Sequence, residues 1–239
     1  MTTTSRVIVA LDVPALAEAV ALARGLAPHA AAVKIGSQLF TAEGPAAVRA
    51  MHDLGLRVFL DLKFHDIPNT VAGAIAAARS LGVWMANVHA GGGPAMLKAA
   101  AQAAALSPAE QRPLVLGVTV LTSLSEADIK TTWGTTRSLP EQVVHLARGA
   151  QTAGLDGVVA SPHEIGPIRH ACGPDFLIVT PGVRPADGTP DDQRRIMTPG
   201  EAVAAGADYV VVGRPILAAA NPVEAARRIA AECQMTNAQ

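Results

Sequence analysis

Between Phe59 and Thr70 the chain reads Phe-Leu-Asp-Leu-Lys-Phe-His-Asp-Ile-Pro-Asn-Thr, and three charges, Asp61, Lys63 and Asp66, fall within six residues. They end an otherwise apolar run, Leu56 to Leu62, whose branched and aromatic side chains mark a strand. Side chains two apart on a strand share a face, so Asp61 and Lys63 project together beyond Phe59. Asp66 follows on the turn, and Pro68-Asn69 opens a helix. Charges in such a place are costly to bury unless they pair. A carboxylate–ammonium pair there either ties the rim of a fold or fixes a cation where negative charge develops in a reaction. Asp-x-Lys alone does not decide between the two.

The elements around this stretch recur with one rhythm. Short apolar runs stand at Val7 to Leu11, Ala31 to Ile35, Trp84 to His89, Leu114 to Leu121, Asp156 to Ala160, Phe176 to Thr180 and Tyr209 to Val212. Helical patterns separate them. One begins at Pro14, one runs through Val48 to Leu54, one spans about Thr70 to Leu81, and an alanine-rich one follows Pro94. Capping boxes at Ser138-x-x-Glu141, Ser161-x-x-Glu164 and Thr198-x-x-Glu201 start three more, and Asn221-x-x-Glu224 starts the last. Two stretches carry no such pattern: a polar segment from Thr122 to Ser138, and a Pro/Gly/Asp-rich loop from Pro181 to Thr198. A loop of the second kind is long enough to be a lid.

Eight strands alternating with helices in 239 residues predict an α/β fold, a (β/α)8 TIM barrel formed as one domain over 1–239. An open doubly wound sheet is the other architecture of this pattern. Its Gly-x-Gly-x-x-Gly is missing after the first strand, where Leu11-Asp-Val-Pro stands instead.

Composition narrows the function classes. Half the residues are hydrophobic and 16% are charged, enough to fill a sizeable core. A net charge of −1 without a basic run argues against nucleic acid as a partner. Cys172 and Cys233 lie far apart, with no Cys-x-x-Cys and no histidine at metal spacing, so both read as inert thiols. The short polar start, Met1 to Arg6, and the lack of a ~20-residue apolar run predict a cytoplasmic protein without a membrane span.

In a barrel of this kind the chemistry gathers at the C-terminal strand ends. The polar residues at those ends are Asp12, Lys34, Asp61, Lys63, His89, Thr122, Ser161, Thr180 and Arg214. Asp12 either caps its helix or binds hydroxyls. Lys34, a charge inside an apolar run, requires a carboxylate partner or solvent. His89 before Gly91-Gly-Gly93 reads as a structural hydrogen-bonder, and His65 is left out because it points away from Lys63 on a continuing strand. Gly213-Arg214-Pro215 after the eighth strand suits a phosphate dianion, through backbone N–H groups and a guanidinium together. Arg184 and Gln193 on the long loop could close over that phosphate, whereas Arg194 and Arg195 read as solvated.

The string Asp61-x-Lys63-x-x-Asp66-Ile-Pro-Asn-Thr70 resembles the signature of the orotidine 5'-monophosphate decarboxylases. The resemblance extends to Ala10-Leu-Asp12, Val33-Lys-Ile-Gly36, Gly117-Val-Thr-Val-Leu-Thr122, Thr180-Pro-Gly-Val-Arg184, Gln193 and Val212-Gly-Arg-Pro215, in the family's order. It implies decarboxylation of orotidine 5'-monophosphate to uridine 5'-monophosphate in pyrimidine synthesis, without cofactor or metal, by a homodimer with shared active sites. By position, Lys34, Asp61 and Lys63 would form a charged network completed by Asp66 of the other subunit. Lys63 would donate the proton. Asp12, Lys34 and Thr70 would hold the ribose, with Thr70 also crossing the interface, and Thr122 would contact the pyrimidine. Gln193 would reach between base and phosphate, and Arg184, Gly213 and Arg214 would bind the phosphate.

Two other readings are weaker. Sugar-phosphate lyases of similar barrels also carry Asp-x-Lys-x-x-Asp, using magnesium and an enediolate, but their string continues toward Asp-Ala-Gly rather than Asp66-Ile-Pro-Asn-Thr70. A barrel that merely binds phosphometabolites has little reason to keep Lys34, Asp61, Lys63 and Asp66 together.

Overall fold

A computed structural model of the chain describes residues 5–106, 111–185 and 197–235. Eight parallel strands close on themselves, each paired to the next and β8 (Tyr209–Val212) to β1 (Val7–Ala10). Between them lie β2 (Ala32–Gly36), β3 (Val58–Phe64), β4 (Met85–His89), β5 (Leu114–Val118), β6 (Gly157–Val159) and β7 (Leu177–Pro181). The helices form the outer layer: α1 (Leu16–Leu26), α2 (Ser37–Glu43), α3 (Pro45–Asp53), α4 (Pro68–Ser80), α5 (Pro94–Ala105) and α6 (Glu126–Trp133). They continue with α7 (Leu139–Thr152), α8 (Ile165–Cys172), α9 (Pro199–Ala204), α10 (Arg214–Leu217) and α11 (Pro222–Met235). This is the expected (β/α)8 barrel. Among the described residues no helix is long and apolar enough to cross a membrane.

Side-chain alternation divides the apolar residues into two cores. Val7, Val9, Val33, Ile35, Val58 and Leu60 face outward and pack under the helices. Ile8, Ala32, Phe59, Met85, Leu116 and Val179 face inward and fill the barrel. Polar residues continue the inward set at the strand ends: Lys34 follows Ala32, Asp61 follows Phe59, and Asn87 follows Met85. The packed interior is thus the floor on which the charges stand.

The opposite end of the barrel is held by arginines. Asp156, just before β6, takes Arg112 at 2.8 and 3.1 Å and the Val115 N–H of β5 at 2.7 Å. Asp208, just before β8, repeats the device with Arg169 and the Ile178 N–H of β7, both at 2.8 Å. The rings of Trp84 and Tyr209 meet edge to face at 5.2 Å, with the Arg57 guanidinium 4.3 Å over Trp84.

The capping boxes stand where the sequence places them. Glu141, Glu164 and Glu201 accept the backbone N–H of Ser138, Ser161 and Thr198 at 2.8 to 2.9 Å, and Asn221 accepts that of Glu224. The polar segment from Thr122 to Ser138 is not without structure, however. It contains α6, begun by a further box in which Ser125 N–H donates to Asp128 at 2.8 Å. Only Ile129 of that helix is buried, so the apolar period that reveals a helix is missing. β5 stops at Val118 rather than Leu121, and a short α2 precedes α3 where one helix was expected. α4 begins at Pro68, using proline at the position where its missing N–H costs nothing.

Candidate active site

The mouth of the barrel holds four charges in a chain of alternating sign. Asp12 Oδ1 lies 3.1 Å from Lys34 Nζ, Lys34 Nζ 3.2 Å from Asp61 Oδ2, and Asp61 Oδ1 2.7 Å from Lys63 Nζ. Burial is deepest in the middle: the side chains of Lys34 and Asp61 are 10% and 11% exposed, Lys63 35% and Asp12 55%. Burial opposes ionisation of Asp61, but Lys34, Lys63 and hydrogen bonds from Lys63 and Asn87 outweigh it, and the carboxyl sits below its usual range. The deep carboxylate is therefore ionised and shared by two ammonium groups, of which Lys63 faces the opening.

Glycine allows the chain of charges to form. A Cβ at Gly36 would meet Lys34 Nζ at 3.0 Å and Asp12 Oδ1 at 3.3 Å, so a side chain at the end of β2 would press on that pair.

These residues line a cavity of about 890 Å³. Gly213, Arg214 and Arg184 also line it, with Gly213 beside Asp12 where β8 meets β1. Gly213 caps α10, a single turn, which places the amide-bearing start of a helix beside two guanidiniums. The Arg184 N–H bonds Met197 O at 3.2 Å and ties together the two ends of the long loop. Thr122 and Leu121 line the cavity from the end of β5. A ligand with a phosphate at one end and a group meeting Lys63 at the other fits this distribution of charge.

A family model described as orotidine 5'-phosphate decarboxylase / HUMPS family matches residues 5–229. The chain belongs to that family. Among its relatives, the orotidine 5'-phosphate decarboxylase of Moorella thermoacetica is 57% identical over 235 residues, covering 96% of this chain and 92% of that one. The enzyme of the same name from Trichlorobacter lovleyi is 53% identical, covering 95% of each chain. A crystal structure of orotidine 5'-phosphate decarboxylase from Lactobacillus acidophilus superposes with a TM-score of 0.86 at 38% identity, covering 96% of this chain and 99% of that one.

Of the residues the sequence singles out, Asp12, Lys34, Asp61, Lys63, Thr122, Arg184, Gly213 and Arg214 meet around one cavity. Asp66 and Thr70 do not line it; both are exposed at the start of α4. Asp66 Oδ1 accepts the Ile67 N–H at 2.6 Å, and among the described residues it makes no ion pair within the chain. Gln193, with Arg194 and Arg195, lies outside the described residues. Thr180, grouped with the strand ends in the sequence, is buried with its hydroxyl outside the cavity and unpartnered. Its neighbour Val179 takes the inward position, so alternation turns Thr180 toward the helices.

Two features of this orotidine 5'-phosphate decarboxylase-family site escape the sequence reading. One is a histidine pair beside the cavity: the His65 ring lies 5.4 Å from that of His89, although neither residue lines the cavity. Burial first, then His65 and Lys63, hold His89 below its ordinary value and favour the neutral imidazole, against the opposing pull of Asp61. The other is Asn87, fully buried and bonded to both Asp61 and the Lys63 backbone. Its signal was a lone amide within the apolar strand Met85-Ala-Asn-Val-His.

Proposed function

We propose that this chain decarboxylates orotidine 5'-monophosphate to uridine 5'-monophosphate, with Lys63 as the proton donor. The observation that carries the assignment is the Lys63 ammonium held at 2.7 Å on a buried Asp61 carboxylate, which Lys34 also contacts. Membership of the family and the names of relatives above half identity support the reaction. The Asp66-Ile-Pro-Asn-Thr70 string favours it over the sugar-phosphate lyase reading.

The chemistry follows from the charge distribution. When the bond from the ring carbon to the carboxylate breaks, its electron pair stays on a vinyl carbon with no adjacent carbonyl to spread it. A fixed cation at that carbon lowers the energy of the charge as it develops. Lys63 Nζ then transfers a proton to the carbon, leaving a C–H bond and a neutral amine that takes a proton from water. Lys34 orients Asp61 from below and, with Asp12, meets the ribose hydroxyls. Thr122 faces the pyrimidine, while Arg184, Gly213 and Arg214 take the phosphate and Gln193 bridges base and phosphate. Fixing the phosphate on these residues holds the ring over Lys63 in one orientation.

The working unit in this proposal is a homodimer. Asp66 and Thr70 are exposed beside Ile67, an apolar side chain 67% exposed, on the strand-end face of the barrel. A second copy covering that face would bring Asp66 to the neighbour's Lys63 and Thr70 to its ribose. The chain acts as one cytoplasmic domain, with no part for nucleic acid. The deciding experiment follows the absorbance of orotidine 5'-monophosphate with purified protein, with and without EDTA. Turnover that persists in EDTA is expected; a protein that leaves the substrate unchanged overturns the proposal.

A further inference from the structure

β3 and β4 run in register as far as Leu60 opposite Ala86 and rejoin at Phe64 opposite Val88. Between those pairs, Asp61, Leu62 and Lys63 stand against Asn87 alone. Within this bulge Lys63 takes φ 52°, and among the described residues it is the only non-glycine residue with positive φ. A left-handed backbone disfavours lysine, because its Cβ crowds the following carbonyl. Something must hold it there.

Both ends of one amide do so. Asn87 Oδ1 accepts the Lys63 backbone N–H at 2.8 Å, and Asn87 Nδ2 donates to Asp61 Oδ1 at 2.7 Å. The same Asp61 oxygen receives Lys63 Nζ at 2.7 Å. Asn87 is 0% exposed, so neither bond has water as a competitor. The first bond replaces a ladder bond that the bulge breaks; the second is to a charged group and is the stronger for it.

We propose that Asn87 is the positioning residue of the site, setting the left-handed backbone of Lys63 and the orientation of Asp61 together. The inference rests on Lys63 being the proton donor. Asn87 does not line the cavity and acts only through the two residues it holds. The position requires an amide. An ionised aspartate there would still accept the Lys63 N–H but would offer Asp61 a second negative charge in place of a donor. The charged and titratable groups around it are Lys34 from β2, Asp61 and Lys63 from β3, His65 after β3, and His89 on β4 itself.

Asn87→Ala and Asn87→Asp, measured beside wild type, test this. Asn87→Ala, which removes both bonds, is expected to lower kcat by at least about 10- to 100-fold, the scale set by the bond to charged Asp61 alone, with little change in affinity for uridine 5'-monophosphate. Asn87→Asp is expected to be nearly inactive at about pH 8 and to recover as the pH falls toward about 6. Burial and the neighbouring carboxylate raise the proton affinity of such a pair, and protonation restores a donor to Asp61. Asn87→Ala should show no such recovery. A kcat for Asn87→Ala within about twofold of wild type, or a shared pH profile for both variants, overturns the inference. Should Asn87→Ala fail to fold, Asn87→Asp, which keeps the native shape, decides by its profile: recovery supports the role and a flat profile overturns it. An inactive wild type would instead remove the functional reading on which the inference stands.

Discussion

Lys34 Nζ lies 3.2 Å from Asp61 Oδ2, on the side of the carboxylate away from Lys63. The two lysines thus compete for one anion, and the deeper one keeps the shallower from being fully neutralised. Lys34→Met should disturb both stability and turnover. Removing one partner of a nearly buried pair typically costs about 3–5 kcal/mol, reduced here because Lys63 remains to compensate Asp61. Thermal melts and kcat measured on the same preparation check this; a variant equal to wild type in both would show that Lys34 is a spectator.

Lys63→Ala should lower kcat by at least about 10²- to 10⁴-fold, the range for a lost general acid, while uridine 5'-monophosphate still binds. Lys63→Arg should fail as well, since a guanidinium stays charged and is a poor donor of its proton. Substantial turnover by either variant contradicts the assignment.

Arg214→Ala should weaken phosphate-linked binding, and its deficit should shrink when the substrate is the nucleoside without phosphate. Part of the loss is expected in kcat, because binding energy from a remote group can be used at the reacting carbon. Equal damage with both substrates would make Arg214 a structural residue.

Sharing of the site between subunits can be read from mixtures. Lys63→Ala and Asp66→Ala homodimers should both be nearly inactive. After subunit exchange, mixed dimers carry one site with both residues intact, and with random pairing roughly a quarter of wild-type activity should return. If exchange is demonstrated and activity stays absent, Asp66 does not serve the neighbouring Lys63.

Glu164 gives a pH test away from the site. Burial raises its carboxyl to about 7 although the Ser161 N–H favours the anion. The folded state therefore binds this proton where the unfolded chain has released it, and stability falls as pH rises from the unfolded value toward 7. Glu164→Gln, which can still accept the Ser161 N–H, should raise stability by roughly 1–3 kcal/mol at about pH 8 and leave it unchanged near pH 4. Denaturant midpoints at the two pH values measure the difference; a variant less stable at pH 8 would mean that the carboxylate is needed.

The barrel was legible because its strands are apolar runs on a regular beat, and Lys34, Asp61 and Lys63 because charges interrupt those runs. Asn87 was harder to see. An amide in a strand has no distinguishing pattern, and its importance depends on a bulge that no local sequence rule places. The backbone at Lys63 breaks the regular alternation by which His65 is set aside, yet His65 stays outside the residues that line the cavity. α6 escaped because it buries so little that it lacks the apolar stripe by which helices are found.

The filled interior also governs traffic. Phe59, Met85 and Leu116 pack directly beneath the charged layer, and Trp84 and Tyr209 close the far end. With the barrel axis packed, substrate and carbon dioxide exchange with solvent through the strand-end mouth, where the Lys63 side chain is 35% exposed.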